Sequence, residues 1–334
     1  MDKVEENLKK LLLGQSLDSD QEFCDFTLEE QNEAAVAKGI APSAASDYVP
    51  ICKSSVTYIV AGIFVNPENE VLMMQEAKKS CAGQWYLPAG RMEKGEDIVE
   101  ALKREVIEET GMNVEPTTLL SVECASGSWF RFIVTGNVIG GQLKTPKDAD
   151  SESLQAKWIK KETDMSLRAS DILPIIERGR SFYNKSHSEP WHNEILPTIK
   201  PHKKLLLRLV VCIKKRSNNR VHVLLSEKTE VHLPVCEIHP AKNLHATLKK
   251  FMTEIFGADV PPHKPHGLLS IEHSGKPEGT DDGLCLTLLV SFRKPLEEVG
   301  IIDKYTWLEI SKQLGDELLN RLPKNMTVPL NVIR

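Results

Sequence analysis

The chain has 334 residues, 41% hydrophobic and 27% charged, which excludes collagen-like, wholly disordered and disulfide-stapled architectures and suggests two domains of ordinary size. Its 42 basic and 47 acidic side chains leave a formal charge of -5, so there is no global attraction to nucleic acid or to an anionic membrane. The apolar stretch Val56 to Val65 is about half as long as the ~20 residues of a membrane-spanning helix, and the opening residues Asp2, Lys3, Glu5 and Glu6 lack the character of a signal peptide. Scattered cysteines without a C-x-x-C pair favour reduced thiols, hence a cytoplasmic location, with the nucleus as the other reducing compartment.

In chain order, Val4, Leu8, Leu11 and Leu12 share one face of a short amphipathic helix. No apolar period is visible from Asp18 to Asp47, so residues 1–47 read as an N-terminal helix and a flexible acidic arm. VTYIVAGIFV from Val56, a turn at Pro67 to Asn69, and VLMMQEA read as a β-hairpin. A helix is expected from about Glu96 to Thr110, stopped by Gly111. Strands at Leu119 to Glu123, Trp129 to Gly136 and Leu154 to Ile159 follow, then a helix from Ser170 to Asn184. Pro190, Pro197 and Pro201 mark a linker at 187–203 between a first domain at 48–186 and a second at 204–334.

The second domain repeats the first. At an offset of 146 residues Leu87-Pro88 falls on Leu233-Pro234, Glu108 on Glu254 and Gly111 on Gly257. Slightly further on, Leu119 to Glu123 (LLSVE) matches Leu268 to Glu272 (LLSIE), and Trp158 has a counterpart in Trp307. One α/β unit is expected twice.

The chemistry is concentrated between Gly90 and Met112, GRMEKGEDIVEALKREVIEETGM, which satisfies G-x5-E-x7-R-E-U-x-E-E-x-G-U, with U a bulky aliphatic residue. A chance match to a pattern this long is on the order of one in a million or rarer. On a helix, Glu105, Glu108 and Glu109 fall within an arc of about 100°, overlapping the inward stripe of Ile98, Ala101 and Leu102. Like charges so placed repel, and oxygen-only ligands suit Mg2+ or Mn2+. Arg104 can pair along the helix with Glu108 and orient a carboxylate. Glu96, out of phase with Glu105, supports the site from the helix start, and Gly90 permits a close backbone approach. Outside this segment, Trp129 and Phe130 offer an aromatic platform for a purine, Asp148 and Asp150 could read a donor edge, and Glu152 is a candidate base for activating water.

The Gly90 to Met112 segment resembles the Nudix box of the Nudix hydrolases. The resemblance implies an α/β fold, a Nudix-type α/β/α sandwich with a mixed sheet, here followed by a second, degenerate Nudix-like domain. It also implies metal-dependent attack of water on the phosphorus of a nucleoside diphosphate derivative. By position, Glu105, Glu108 and Glu109 would bind Mg2+ or Mn2+ with the backbone carbonyl of Ala89, Arg104 would belong to the catalytic set, and Gly90, Glu96 and Gly111 would support the box. The longer runs QEAKKSCAGQWYLPAGRMEKGE, LLSVE and LKTPKDADSESLQAKW are similar to family members that hydrolyse oxidised purine nucleoside diphosphates, such as 8-oxo-dGDP and 8-oxo-GDP, to monophosphate and phosphate. That similarity implies an enzyme that sanitises the nucleotide pool, with Leu72 at the substrate and neither membrane nor nucleic acid as partner. Other Nudix substrates (a nucleotide sugar, a dinucleotide, an RNA cap) and a non-hydrolysing scaffold stay open as alternatives.

In the second copy the offset puts Cys236 at the place of Gly90, Lys242 at Glu96, Phe251 at Glu105 and Ile255 at Glu109, and only Glu254 survives. One carboxylate holds a divalent ion poorly, so this half is expected to be catalytically silent and to serve an intra- or intermolecular contact. Asp281 and Asp282 within it read as a polar turn.

Overall fold

A computed structural model of the chain describes residues 2–18, 22–185 and 190–333. Its first helix, α1 (Asp2–Leu12), buries Leu8, Leu11 and Leu12 against Val210, Val223, Leu269 and Leu314, so the N-terminus is docked on the second half. Where the sequence suggests a flexible arm, the structure has α2 (Leu28–Val36), opened by a capping box: Thr27 Oγ1 accepts from the Glu30 amide at 3.2 Å and the Glu30 carboxylate from the Thr27 amide at 2.8 Å. Its anchor is polar: the buried Gln31 side chain donates to the Glu237 carbonyl at 2.8 Å, a tie invisible to a search for apolar periodicity.

The first α/β unit follows: β1 (Thr57–Ile63), β2 (Val71–Glu76), β3 (Trp85–Tyr86), β4 (Ala89–Arg91), α3 (Ile98–Thr110), β5 (Met112–Ser126), β6 (Trp129–Gly141), β7 (Ser153–Ile159) and α4 (Leu173–Tyr183). β1 lies between antiparallel β4 and parallel β6, β5 extends this mixed sheet, and β2 pairs with β3 and β7 in a separate sheet. The expected hairpin of β1 and β2 is therefore corrected. A bridge between Val65 and Val71 closes the turn, but both edges of β1 are taken, and β2 diverges to pair Leu72 with Trp158. Successive residues of a strand point to opposite faces. Val60 and Phe132 accordingly join Leu102 and Val106 of α3 in one apolar cluster, and Ala61 and Ile133 join Ile175 and Ile176 of α4 in another. The unit is an α/β/α sandwich, the arrangement that the resemblance implies.

The order recurs as β8 (His202–Lys214), β9 (Val221–Ser226), β10 (Val235–Glu237), α5 (Leu244–Phe256), β11 (His263–Glu272), β12 (Asp282–Phe292), β13 (Tyr305–Glu309) and α6 (Lys312–Leu319), before a final β14 (Leu330–Val332). Most pairings recur too: β8 stands between antiparallel β10 and parallel β12, β11 pairs with β12, and β13 pairs with β9, Trp307 opposite Leu224 as Trp158 is opposite Leu72, but here the end of β8 also pairs with β9, which joins all these strands in one sheet. α3 and α5 are both 13 residues long, and Leu244 begins the second 146 residues after Ile98 begins the first.

The halves share one core. Tyr58, Phe130, Leu205 and Leu207 lie in a single cluster, and β14 returns to pair in parallel with β5. Asp282, expected in a polar turn, is fully buried between the halves. Its carboxylate accepts from the Cys52 amide at 2.8 Å and its carbonyl from the Tyr58 hydroxyl at 2.8 Å, which satisfies a group that burial would otherwise penalise. Among the described residues no helix is long and apolar enough to cross a membrane.

Candidate active site

The site is built on α3 and the strand beside it. Asp97 caps the helix by accepting from the Val99 and Glu100 amides at 2.8 Å, Glu100 reaches back to the Asp97 amide at 3.0 Å, and Gly111 ends the helix at φ 76°. The apolar stripe of Ile98, Ala101, Leu102 and Val106 docks this helix on the sheet and carries Glu105 and Glu109 inward with it. Their exposures are 8% and 2%, which separates them from a solvated charged face.

Glu109 Oε2 accepts from the Ala89 amide at 2.8 Å, and Glu105 Oε1 accepts from Arg104 at 2.8 Å. The other oxygen of each, Glu109 Oε1 and Glu105 Oε2, accepts no hydrogen bond among the described residues. Burial raises both carboxyls above the ordinary range, Glu109 far above it. Arg104 opposes this at Glu105 and the Ala89 amide opposes it at Glu109, while neighbouring carboxylates, Glu108 and Glu152 for Glu105 and Glu76 for Glu109, add to it. Arg104 gathers the group: Nε and Nη2 donate to Glu96 at 2.6 and 2.8 Å, Nη1 to Glu105 at 2.8 Å and to Glu108 at 3.0 Å. One guanidinium among these acids leaves negative charge uncompensated. Gly90 makes room for it, since a Cβ there would lie 2.1 Å from the Glu105 carboxyl carbon.

The loop before β7 is fastened to the end of this helix. Lys144 donates to the Glu108 carbonyl at 3.0 Å and to Asp150 at 2.6 Å, and Ser153 Oγ donates to the Glu109 carbonyl at 2.9 Å. Glu152 projects from this loop, exposed and near enough to influence Glu105.

Of the other expected substrate residues, Asp150 is tied to the end of α3 through Lys144, while Leu72 and Phe130 lie in the core. Leu72 and Phe130 are 0% exposed, Leu72 beside Trp158 and Phe130 against Tyr58 and Phe132, because each occupies an inward position of its strand; both are core residues. Trp129 opposes Thr57, four residues or about 13 Å along the sheet from the pairing of Ala61 with Ala89 and Ile133. Asp148 is exposed and closes its own turn on Thr145 at 2.6 Å. Asp150 is engaged by Lys144 and by the Glu152 and Ser153 amides; against its partial desolvation these hold its carboxyl at about 2.

Sequence reasoning missed Glu76, which is 1% exposed, accepts from Arg168 at 2.6 Å, and contributes to the raised Glu109. It also missed a buried network in which Arg131 donates to Glu123 at 2.5 Å, to the Tyr86 hydroxyl at 2.9 Å and to Asp171 at 2.8 Å. The repeated LLS-(V/I)-E was the available signal: Glu272, the second copy's counterpart of Glu123, is likewise buried against an arginine, Arg208, at 3.0 Å.

The NUDIX domain family matches residues 57–170. The 8-oxo-dGDP phosphatase NUDT18 of Mus musculus is 38% identical over 296 residues, spanning 84% of this chain and 88% of that protein. The chain belongs to the Nudix hydrolase family. The 8-oxo-dGDP phosphatase NUDT18 of Danio rerio is 32% identical over 345 residues, 98% of this chain and 97% of its own. Among solved structures, a NUDIX hydrolase from Nitrosomonas europaea has a TM-score of 0.33 and 23% identity over 40% of this chain and 93% of that one. Nudix hydrolases require a divalent metal ion, and the residues present fit one. Two buried, mutually repelling carboxylates each keep an oxygen without a protein donor, beside the exposed carboxylate of Glu108.

Proposed function

We propose that the first half hydrolyses 8-oxo-purine nucleoside diphosphates, 8-oxo-dGDP and 8-oxo-GDP among them, to the monophosphate and phosphate, and that this keeps oxidised precursors out of the nucleotide pool. The intact box on α3, with Glu105 and Glu109 buried and incompletely partnered, carries the hydrolytic reading. The substrate follows the two relatives aligned along most of their length.

In this reading Glu105, Glu108, Glu109 and the Ala89 carbonyl hold Mg2+ or Mn2+. The bound ion supplies charge for the phosphate oxygens and lowers the pKa of the attacking water. Arg104, fixed by Glu96, sets the direction of the Glu105 and Glu108 carboxylates. The Ala89 amide holds one Glu109 oxygen and leaves the other for the ion. Glu152, on a loop tied to the helix end by Lys144 and Ser153, takes the proton from water. Phe251 and Ile255 in the places of Glu105 and Glu109 make the second half non-catalytic, with a role in bracing the first through Asp282 and β14. The seven unpaired thiols fit a reducing compartment, the cytoplasm or nucleus.

The test is phosphate release by the full chain with Mg2+, at matched concentrations of 8-oxo-dGDP and dGDP. Faster release from 8-oxo-dGDP is expected. Equal rates, or turnover confined to a nucleotide sugar, would sink the assignment.

A further inference from the structure

A cavity of about 450 Å3 lies between α2 with its following loop and α5, at the place in the second half that the glutamate cluster occupies in the first. Lys242, Lys249, Lys250 and Glu254 of its lining stand 146 residues after Glu96, Lys103, Arg104 and Glu108. Of these four pairs only Glu96 and Lys242 differ in sign, but with Lys38 added the lining carries a net positive charge. Lys38, Lys242, Lys249 and Lys250 line a space with one carboxylate, Glu254, and that carboxylate is engaged by Lys304 at 3.4 Å. Among the described residues, no ion pair forms on Lys38, Lys242 or Lys250.

These cations lie within one another's field. The Lys250 ammonium is held below its ordinary range first by burial and then by Lys242 and Lys38. His239 is lowered by its burial and by Lys250 and Lys242. Its Nδ1 accepts from the Ala241 amide at 3.2 Å, which leaves Nε2–H to donate to Ser43 Oγ at 3.1 Å on the cavity wall. Like charges gathered around a walled space repel unless an anion sits among them. The rest of the wall is mixed: Ser43, Asn32 and Thr253 offer polar groups, and Phe26, Ala34 and Ala35 an apolar patch. The volume lies within the roughly 300–1,000 Å3 of small-molecule sites.

We propose that this cavity binds a diphosphate group, that of a nucleoside diphosphate or of free pyrophosphate, without a metal ion, through Lys38, Lys242 and Lys250. A diphosphate spreads its charge over two groups, as the ammoniums of Lys38, Lys242 and Lys250 are spread over the loop after α2, the turn before α5 and the middle of α5. Where α3 presents carboxylates that need a cation before they can meet phosphate, α5 and its surroundings supply the cations themselves. The proposal stands apart from the substrate assigned to the first half.

The experiment is calorimetric titration of the full chain with pyrophosphate and with ADP in the presence of EDTA, so that the α3 site is kept free of metal. Saturable binding that weakens with added salt is expected, and Lys242→Ala/Lys250→Ala should weaken it by about tenfold or more. Magnesium-dependent hydrolysis by that variant should stay within about twofold of the parent, because its lysines lie outside the α3 site. Lys242→Gln alone, at an exposed position, should give a smaller loss in the same direction. Tighter binding of ADP than of pyrophosphate assigns the apolar patch to the nucleoside; equal binding assigns the site to the free anion. The proposal is overturned by lack of saturable binding in the parent, by equal binding in parent and double variant, or by retention of an RNA oligomer that neither anion displaces.

Discussion

α3 and α5 bury corresponding positions: Ile98 and Leu244, Ala101 and Thr247, Leu102 and Leu248, Glu105 and Phe251, Val106 and Met252, Glu109 and Ile255, Thr110 and Phe256. The docking face is the same, and at two positions the first helix places a carboxylate where the second places an apolar side chain. Burying an ionised carboxylate costs several kcal/mol unless charge and hydrogen bonds offset it, so Glu105 and Glu109 act against the stability of their own helix. Function is visible here as a departure from the packing rule that the other copy obeys. The neighbouring strand agrees: Gly90 leaves space against Glu105, whereas its counterpart Cys236 is buried in the core with Phe251.

Removing one of the two buried charges without changing the shape of the side chain separates function from packing on α3 most directly. Glu109→Gln should lower the rate of phosphate release by about 100-fold or more, the scale seen when a charge-stabilising group is lost from an active site. The same variant should melt no lower than the parent in EDTA, because a neutral amide replaces a carboxylate that burial disfavours. Activity within a few-fold of the parent would remove Glu109 from the site, and a lower melting temperature would mean that its charge is structural.

Much of this was legible in the sequence because it rests on spacing along one element. The box, the span of α3 and the duplication at offset 146 are all local or repeated patterns. What escaped depends on strands meeting across the fold. β1 and β2 meet only at the Val65–Val71 bridge before β2 turns to β3 and β7, and the buried setting of Leu72 and Phe130 depends on the faces on which the pleat leaves them. Asp282 looks like a turn residue until Cys52 and Tyr58, more than two hundred residues away in sequence, are folded onto it. Glu76 became visible only beside Arg168.

The buried carboxyls of α3 and the buried Glu272 of the second half respond to pH with opposite signs. Glu105 and Glu109 have folded values above the ordinary 4.5, so their contribution to stability is complete below 4.5 and is lost as pH rises through the raised values. Against its own burial, Arg208 and His202 hold Glu272 of the second half below 4.5, so its contribution is present above 4.5 and is lost as pH falls. A metal ion bound at α3 relieves only the first effect. The increase in melting temperature on adding Mg2+ should therefore be larger at about pH 8 than at about pH 5, by roughly 1–2 °C for each kcal/mol of coupling in a chain of this length. Differential scanning calorimetry at the two pH values reads this directly, and equal increments would place the ion away from the buried glutamates.

The smallest effect is expected at the acid the second half retains. Glu254 aligns with Glu108, but its neighbours on the buried face are Phe251 and Ile255, and Lys304 engages its carboxylate at 3.4 Å. A lone carboxylate so engaged holds a divalent ion poorly and has no partner with which to shape a metal site. Glu254→Gln should leave phosphate release from 8-oxo-dGDP within about twofold of the parent, whereas Glu108→Gln, which takes away a proposed metal ligand, should lower it further. A tenfold loss in the Glu254 variant would make the second half a participant in the reaction, and conservation of the helix would then reflect shared chemistry as well as shared packing.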